Sequence, residues 1–372
     1  MRATSPADRK NKMYAQNLTL TDYRNINSLY MELEDGVNII YGENAQGKTN
    51  ILEAFYMCST GKSHRSGITD RDIIAFNSKQ AHIRLNVCSS RSDRIDIHLS
   101  DNKKKAISVN GIAIQKLGDL FGIINTVFFG PQDLQLVQSG PGERRRFMDI
   151  ELCQINNIYY YNLKKYYKIL KQRNNLLKTI QKERTPYALS MLDIYNIHLA
   201  ESGEKLLNIR QDFINKLNGF AENMHSLISS GRERLRLEYK PDISDGDFLK
   251  KLNEYNERDI AYGSTSHGIH KDDIAFYING INARSFGSQG QQRSACLSAK
   301  LAEIELIKSE RGENPVLLLD DVLSELDKIR QQCLIETIGS IQTIITCTGI
   351  EDSIKNISSK SKIFNIKNGK IL

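Results

Sequence analysis

The stretch Gly42-Glu43-Asn44-Ala45-Gln46-Gly47-Lys48-Thr49 matches the Gly-x4-Gly-Lys-Ser/Thr pattern of phosphate-binding loops. It follows an alternating apolar run, Val37 to Tyr41, that predicts a strand, and the next residues, 49–57, carry apolar side chains at helical spacing. A glycine loop in this position directs backbone N–H groups and a helix N-terminus at bound phosphates. The sequence therefore predicts an ATP site formed by Gly42, Glu43, Asn44, Ala45, Gln46, Gly47, Lys48, Thr49 and Asn50.

Two residues of this loop have specific chemical roles. A lysine at the position of Lys48 neutralises the outer phosphates, and a hydroxyl at the position of Thr49 binds Mg²⁺. A further Mg²⁺ ligand is expected after Val316 to Leu319, an unbroken apolar run that is typical of a strand buried on both faces of a parallel sheet. We assign Asp320 to Mg²⁺ and Asp321 to the general base that polarises the attacking water.

Gln132, in Phe129-Gly130-Pro131-Gln132-Asp133, is a third candidate for the catalytic centre. A glutamine here could reach Mg²⁺, or it could be a turn residue after Pro131. The set expected to act in catalysis is Asp321, Lys48 and Gln132, and the expected metal ligands are Thr49, Asp320 and Gln132.

A third motif indicates the class of ATPase. Ser288-Gln289-Gly290-Gln291 precedes a helical pattern and resembles the signature of the ABC ATPase superfamily, in which this loop contacts the nucleotide bound by a second subunit. The alternative is that Ser288 only caps the helix. Ser324 and Asp327, just after the acidic strand, resemble the D-loop of the dimer interface. Where the superfamily has a switch histidine, this chain has Thr348, which suggests slow hydrolysis.

The order of the segments predicts one α/β ATPase head built from both chain ends. Residues 13–142 and 263–372 have strand-like runs, whereas residues 143–262 are rich in Leu, Ile, Lys, Asn and Tyr at helical spacing. We expect an inserted, mostly helical arm over 143–262, with a break at Thr185–Pro186, and a disordered tail over 1–12. Hairpins are predicted at Asn110–Gly111 and Asn368–Gly369. The expected apolar stripes of the arm are Leu163, Tyr167, Leu170 and Leu177, and Phe213, Leu217, Phe220, Met224 and Leu227.

The overall composition is compatible with a polyanionic partner. The chain of 372 residues has a formal net charge of +7, and its six cysteines are scattered without a Cys-x-x-Cys pair. A disulfide framework or zinc site is therefore not expected, and reduced thiols in the cytosol are the simpler interpretation. No apolar run is long enough to suggest a membrane-spanning helix or a secretory signal.

Several motifs together resemble the bacterial RecF family of ABC/SMC-type ATPases, over about Tyr14 to Leu372. These are the glycine loop, Ser59 to Arg65, Phe128 to Val137, Arg144 to Phe147, Leu170 to Asn174, the signature, and the acidic strand with its D-loop. The family's Gly-Pro-His-Arg-Asp-Asp box, to which the resemblance assigns coupling of core and arm, is here Gly268-Ile269-His270-Lys271-Asp272-Asp273.

The resemblance implies a weak, DNA-stimulated ATPase that forms an ATP-dependent homodimer and binds double-stranded DNA or single-strand/double-strand junctions. It also implies a cytoplasmic, nucleoid-associated protein that works with RecR, RecO and a RecA-type recombinase at single-strand gaps, in replication-fork recovery and in the SOS response. Basic side chains expected on a DNA-binding cleft are Lys62, His64, Arg65, Arg144, Arg145, Arg146, Lys164, Lys165, Lys168 and Arg173. For each of them, a solvated side chain or a surface ion pair is the alternative.

Three other functions would use some of the same motifs. An ABC transporter subunit would have a membrane partner and a switch histidine, and the long insert argues against it. A tether like the long SMC proteins would need hundreds of heptad residues, which the chain lacks. A nucleotide-gated DNA clamp with negligible turnover uses the same residues as an ATPase, so the sequence leaves it open.

Overall fold

A computed structural model describes residues 13–65, 67–338, 341–349 and 361–372 of the protein. The predicted tail, residues 1–12, lies outside this part of the chain. The strands are β1 (Tyr14–Tyr23), β2 (Ile26–Glu32), β3 (Val37–Tyr41), β4 (Gln80–Cys88), β5 (Ser92–Ser100), β6 (Ala106–Val109), β7 (Ile112–Ala113), β8 (Thr126–Phe129), β9 (Leu235–Lys240), β10 (Asp273–Ile278), β11 (Ile281–Asn282), β12 (Val316–Asp320), β13 (Thr343–Cys347), β14 (Lys362–Lys367) and β15 (Lys370–Ile371).

The α-helices in the same residues are α1 (Lys48–Thr60), α2 (Pro141–Ile155), α3 (Asn157–Lys182), α4 (Pro186–Ile228), α5 (Phe248–Glu254), α6 (Asn256–Tyr262), α7 (Ala283–Phe286), α8 (Gln289–Arg311) and α9 (Lys328–Ile338). The helix predicted after the glycine loop is confirmed as α1. The predicted break at Thr185–Pro186 is also confirmed, because α3 ends at Lys182 and α4 begins at Pro186. The Thr185 side chain accepts a hydrogen bond from the Ala188 N–H and so caps α4.

A central sheet joins the two ends of the chain. Its strand order is β15-β14-β3-β13-β12-β8, and all neighbours pair in parallel except the closing hairpin β14–β15. Since β13 lies between β3 and β12, the glycine loop and the acidic motif end at the same edge of the sheet, two strands apart. The predicted ATPase head assembled from both chain ends is confirmed.

The apolar run of β12 is buried on both faces, as its unbroken pattern predicts. Val316 and Leu318 belong to a core shared with α1, whereas Leu317 and Leu319 belong to a core shared with α8 and α9. Successive side chains of a strand point to opposite faces, so a strand covered on both sides needs apolar residues at every position. The sheet is thereby fixed between two layers of helices.

A second sheet packs over α1. Its order is β2-β1-β4-β5-β6-β7, with antiparallel pairing throughout. One face is apolar and joins the core that contains α1, and the other face is polar. The predicted Asn110–Gly111 hairpin is confirmed: both residues have positive φ, 54° and 83°, as a tight two-residue turn requires.

The insert contains a strand that the sequence analysis missed. β9 lies inside the predicted helical arm but pairs antiparallel with β10, which lies beyond the predicted boundary at 262–263. That boundary therefore separates two strands that share one sheet, of order β11-β10-β9. The alternation of buried Leu235, Leu237 and Tyr239 with more exposed residues was the available signal.

The apolar stripes of the arm are partly confirmed. Leu170, Leu177, Phe213 and Leu217 are buried, but Tyr167 and Leu227 are exposed to 42% and 66% and do not belong to the core. Helical spacing gives a stripe wider than the surface that a neighbouring helix covers, so residues at its margin remain in solvent.

Two buried arginines fasten the arm to the box at 268–273. Arg144 on α2 donates to both carboxylate oxygens of Asp273, at 2.6 and 2.9 Å. Arg210 on α4 donates to Asp272 at 2.7 Å and to Asp149 at 2.8 Å. Both guanidinium groups are almost fully buried and paired, which is the arrangement that makes a buried charge tolerable.

Candidate nucleotide-binding site

The centre of the site is a contact between two motifs that are 271 residues apart. The Thr49 hydroxyl donates to Asp320 Oδ1 at 2.8 Å. Thr346, at the end of β13, donates to the same oxygen at 2.8 Å. The parallel sheet thus brings the first residue after Lys48 and the last residue of β12 together, as the two sequence motifs predict.

The glycine loop has the backbone geometry that its sequence requires. Gly47 has φ +104°, and a Cβ atom there would lie 2.8 Å from Asn25 Oδ1. Ala45 also has a positive φ of 64°. Lys48 is buried, and its ammonium group donates to the carbonyl oxygens of Gly42 at 2.5 Å and Glu43 at 2.7 Å. The lysine therefore folds back over its own loop, where phosphate oxygens would replace the carbonyl groups.

Turns from both chain ends support the loop. The Gln46 side chain accepts from the Asn368 N–H at 2.6 Å, and the Gln46 carbonyl accepts from the Gly369 N–H at 3.1 Å. On the other side, Asn50 donates to Asn25 Oδ1 at 2.8 Å. The Asn368–Gly369 hairpin was predicted and is confirmed, but its contact with the glycine loop could not be read from the sequence.

A cavity of about 510 Å³ opens at the edge of the sheet, beside the Thr49–Asp320 contact. Thr49, Asp320 and Gln132 all line it, so the three predicted metal ligands face one space. Hydroxyl, carboxylate and amide oxygens are the hard donors that suit Mg²⁺. Arg65, predicted as a DNA contact, lines the same cavity and donates to Asn50 Oδ1 at 3.0 Å, next to the glycine loop.

Glu53 on α1 holds the segment that carries Arg65. This buried carboxylate accepts from Arg24 Nη2 at 2.8 Å and from the Ser63 hydroxyl. Burial alone would raise the pKa of Glu53, but the hydrogen bonds from Arg24 and Ser63 outweigh burial and hold that pKa below its usual range. The ionised Glu53 therefore ties the Ser59-to-Arg65 motif to the helix that follows the glycine loop.

A group of buried charges lies at the inner end of the cavity and had no signal in the sequence. Lys300 on α8 donates to Glu303 at 2.9 Å, and Lys300, Asp133 and Glu151 all line the cavity. Burial raises the pKa of Glu151 to about 7, although Lys300 opposes the shift. Burial would lower the pKa of Lys300, but Glu303 and its acidic neighbours more than compensate and raise it. The positive charge of Lys300 thus acts on three carboxyl groups, those of Asp133, Glu151 and Glu303.

The signature loop lies at a different surface. Ser288, Gly290 and Gln291 line a second cavity of about 420 Å³ together with Asp327 and Arg330. Ser288 is exposed and caps α8: its hydroxyl accepts from the Gln291 N–H at 3.2 Å, and its own N–H donates to Gln291 Oε1 at 2.9 Å. Ser288 therefore caps α8 in the single chain, and its contact with the nucleotide of a second subunit stays a prediction. The cap leaves Ser288 at a solvent-facing helix N-terminus, where an anion would be favoured.

The acidic motif and the D-loop connect these two surfaces. Asp321 has a positive φ of 53°, and its N–H donates to Thr346 Oγ1 at 3.1 Å. Its carbonyl accepts from the Ser324 hydroxyl at 2.7 Å. Asp327 accepts a hydrogen bond from Arg330, which also donates to the Gly290 carbonyl at 2.8 Å. Asp320 at the first cavity and Arg330 at the signature loop are therefore separated by only ten residues of the chain.

Two of the predicted DNA contacts are wrong. Arg144 and Arg173 are buried, with 2% and 0% exposure, and Arg173 is paired with Asp259 at 2.7 Å. The guanidinium fork satisfies several buried acceptors at once, so both arginines hold the fold together. His64 stacks on Phe128 at 4.1 Å, and burial lowers its pKa to about 4, so it is neutral.

The other basic candidates differ in their surroundings. Lys62, Lys164, Lys165 and Lys168 are exposed, and the last three lie on α3. Arg145 and Arg146 are half-buried and donate to the carbonyl groups of Asp272 and His64. Among the predicted basic contacts, these four lysines are therefore the most accessible to a DNA backbone.

One cluster outside the site resembles a metal site. His82, Asp96 and His98 have side-chain ligand atoms within 4.8 Å of one another on the polar face of β4 and β5. The Asp96 carboxylate, however, already accepts from Arg84 at 2.7 Å and from Arg94 at 2.9 Å. Two fixed positive charges on the carboxylate oppose the binding of a cation. Separately, within the described ranges, we find no helix that is long and apolar enough to cross a membrane.

Comparisons with known proteins agree with this geometry. The family described as RecF/RecN/SMC N terminal domain matches residues 14–371. A protein of Lachnospira eligens named DNA replication and repair protein RecF is 49% identical over 361 residues, covering 97% of this chain and 99% of the relative. A relative with the same name from Lachnoclostridium phytofermentans is 46% identical over 360 residues, covering 96% of this chain and 99% of the relative.

Solved structures extend the comparison. The recombination mediator protein RecF bound to ATP, described as part of the RecFOR pathway, superposes with a TM-score of 0.89 at 32% identity and covers 98% of each chain. An Smc head domain of Pyrococcus furiosus superposes with a TM-score of 0.55 at 15% identity, covering 97% of this chain and 96% of that one, which supports the fold alone.

Replacing Lys48 should abolish nucleotide binding. In Lys48→Ala the loop keeps its backbone N–H groups but loses the ammonium group folded over it, so we expect affinity for a fluorescent ATP analogue to fall by at least about 100-fold. Equilibrium titration measures this, with Lys104→Ala, an exposed lysine far along the chain, as the control. Unchanged affinity in Lys48→Ala would refute the assignment of the loop.

Proposed function

The chain belongs to the RecF/RecN/SMC N terminal domain family, and from this premise we propose that it is an ATP-dependent DNA-binding protein of recombinational repair and replication-fork recovery. The observation that carries the proposal is the Thr49–Asp320 contact, which unites a phosphate loop with a strand-end carboxylate. ATP hydrolysis is general in this family of ATPases. The finer features, namely weak turnover, stimulation by DNA and dimerisation, are our proposal.

Within one chain, the residues divide the work on ATP. The glycine loop and Lys48 bind the phosphates, and Thr49, Asp320 and Gln132 would hold Mg²⁺. Magnesium, when bound, supplies charge neutralisation on the β- and γ-phosphates. Asp321 accepts a proton from the attacking water, which lets the water attack the γ-phosphorus in line with the departing ADP. The absence of a histidine at Thr348 is consistent with slow turnover.

The site needs a second copy of the chain to be complete. Ser288 and Gly290 line a cavity separate from that of Thr49 and Asp320, which supports a signature loop that serves the nucleotide of another chain. We propose that it meets the γ-phosphate bound by a second copy, with Ser324 and Asp327 at the interface. ATP then joins the two heads, and hydrolysis separates them.

DNA would bind along the arms. The exposed lysines of α3, with Lys62, offer point charges to phosphates without reading base sequence. In a head-to-head dimer the two arms form a cleft suited to double-stranded DNA or to single-strand/double-strand junctions. Relatives are named DNA replication and repair proteins, which supports this ligand.

The proposed partners follow from the relatives. A RecF structure is described as part of the RecFOR pathway, and on that basis we propose RecO, RecR and a RecA-type recombinase as partners at single-strand gaps. A cytoplasmic, nucleoid-associated location follows from the DNA ligand.

The second candidate is a nucleotide-gated DNA clamp with negligible turnover. Thr348 in place of a switch histidine is the observation that favours it. Turnover measured with and without DNA separates the two functions: a rate above that of a Lys48→Ala control supports the ATPase, and an equal rate supports the clamp. Family membership argues against the transporter subunit, and α3 and α4 have 26 and 43 residues, too short for a long tether.

Substituting Ser288 should prevent ATP-driven dimerisation. Ser288→Arg places a bulky side chain at the expected contact, and Ser288→Asp keeps a good helix cap but opposes the partner's γ-phosphate with a negative charge. Light scattering with no nucleotide, ADP and a slowly hydrolysed ATP analogue should give a dimer only for the wild type with the analogue. Ser90→Arg, at an exposed turn between β4 and β5, is the control. A normal dimer in both Ser288 variants would contradict the proposed contact in trans.

Asp321→Asn should separate binding from hydrolysis. Asparagine tolerates the positive φ of this residue but is not a base, so we expect ATP binding and dimerisation to persist while turnover falls by about 100-fold or more. A phosphate-release assay measures turnover, and Asp101→Asn, at an exposed bend after β5, is the control. Wild-type turnover in Asp321→Asn would show that another group is the base.

The lysines of α3 should contribute to DNA affinity through counterion release. We expect the variant with Lys164, Lys165 and Lys168 changed to Ala to bind duplex DNA more weakly. A plot of the logarithm of the binding constant against the logarithm of the salt concentration should have a slope shallower by up to about 2.7, or about 0.9 for each lost phosphate contact. Fluorescence anisotropy at several salt concentrations measures the slope. A control with Lys79, Lys103 and Lys104 changed to Ala removes the same charge elsewhere, and an equal effect in the two variants would exclude a specific α3 surface.

A further inference from the structure

Glu233 connects the end of the arm helix to the signature loop. It lies in the turn between α4 and β9, and its side chain is 24% exposed at the second cavity. Its Oε1 accepts a hydrogen bond from Gln291 Nε2 at 2.9 Å. This is a hydrogen bond to an ionised acceptor, which is stronger than one between neutral groups.

Both polar atoms of the Gln291 side-chain amide are hydrogen-bonded. While its amide nitrogen donates to Glu233, its Oε1 accepts from the Ser288 N–H at 2.9 Å. A glutamine amide that was free to rotate could exchange its nitrogen and oxygen, and only one orientation accepts from Ser288. Glu233 therefore selects the orientation in which Gln291 holds the backbone of Ser288.

A histidine on the last turns of α4 lies behind Glu233. His225 is fully buried, with Nδ1 3.0 Å from the Ser298 hydroxyl of α8 and Nε2 3.3 Å from Glu233 Oε2. The second distance is slightly longer than a usual N–H···O hydrogen bond. Burial lowers the pKa of His225, although Glu233 acts to raise it. The carboxylate is thus bounded by α4 on one side and by Gln291 on the other.

Arg330 holds the opposite side of the loop, but through other atoms. It donates to the Gly290 carbonyl at 2.8 Å and to the Ser294 hydroxyl at 2.7 Å. Since the start of α8 has this separate support, the loss of Glu233 should leave the helix in place and release only the Gln291 side chain. The effect of Glu233 on function can therefore be separated from its effect on folding.

We propose that Glu233 is a positioning residue for ATP-driven dimerisation, which acts by holding Gln291 and thereby orienting Ser288 toward the nucleotide of a second copy. The inference rests on the proposed function, because it assumes that the signature loop acts in trans. It also assigns a route by which the position of α4, and hence of the arm, affects the dimer contact. Glu233 touches neither nucleotide nor Mg²⁺ and acts through Gln291 alone.

The test compares Glu233→Ala with Glu233→Gln in the full-length chain. We expect Glu233→Ala to bind the fluorescent ATP analogue like the wild type as a dilute monomer, but to weaken dimerisation with that analogue by about tenfold, the typical cost of losing a hydrogen bond to a charged group. Glu233→Gln can still accept from Gln291 and should stay within about threefold of the wild type. The control is Glu238→Ala on β9, a carboxylate that is paired with Lys240.

A double-mutant cycle identifies the residue through which Glu233 acts. In a Gln291→Ala background, Glu233→Ala should have no further effect on dimerisation, whereas additive losses would overturn the inference. Equal losses in Glu233→Ala and Glu233→Gln, with equal falls in the thermal midpoint, would reduce Glu233 to a structural role and also overturn it. If the wild type dimerises and Glu233→Ala is unchanged, only this inference fails. If the wild type does not dimerise with the analogue, the proposed function fails as well.

Discussion

The hydrogen bond between Thr49 and Asp320 depends on the whole central sheet. It requires β3 and β12 to lie two strands apart, with β13 between them and all three strands parallel. Parallel strands need long crossover connections, and here the connection between β3 and β12 includes β4 to β8 and the entire arm. The arm is therefore an insertion that the site tolerates only because its two ends return to the same core. The buried pairs of Arg144 and Arg210 with Asp273 and Asp272 secure that return.

Helix α8 links the signature loop of a chain to the segment after Gln132, which lines the cavity at the phosphate loop. It begins at the signature loop, and its face at Gln292, Cys296 and Lys300 meets the segment after Gln132: Gln292 accepts from Gln138 at 2.5 Å, and Cys296 donates to the Leu134 carbonyl at 3.3 Å. These three residues are four apart, which is the spacing of one helix face. A displacement of the Gln132 segment would therefore act on the same rigid body that carries Ser288. The buried charges around Lys300 make that contact costly to break.

Elements that need a particular residue type at each position could be predicted from the sequence. The glycine loop, the unbroken apolar strand and both Asn-Gly hairpins have few alternatives, so their predictions were confirmed. Charge was a poorer guide, because Arg144 and Arg173 look like Lys164 in sequence but are buried. What separates them is the position of Asp273 and Asp259, more than 80 residues away. The same holds for Glu233, Asn25 and Lys300, whose roles depend on partners brought near by folding.

The proposed role of ATP as the joining element between two copies is consistent with the positions of the two cavities. Ser288 and Asp327 are exposed on a surface that does not include the phosphate loop of the same chain. The N-terminus of α8 carries the positive end of the helix dipole, which favours an anion supplied by a second chain. A bound triphosphate gives that anion a fixed position, and its γ-phosphate is the part that hydrolysis removes. In the proposed dimer, cleavage of the bond between the β- and γ-phosphates would therefore weaken the affinity of the two copies for each other.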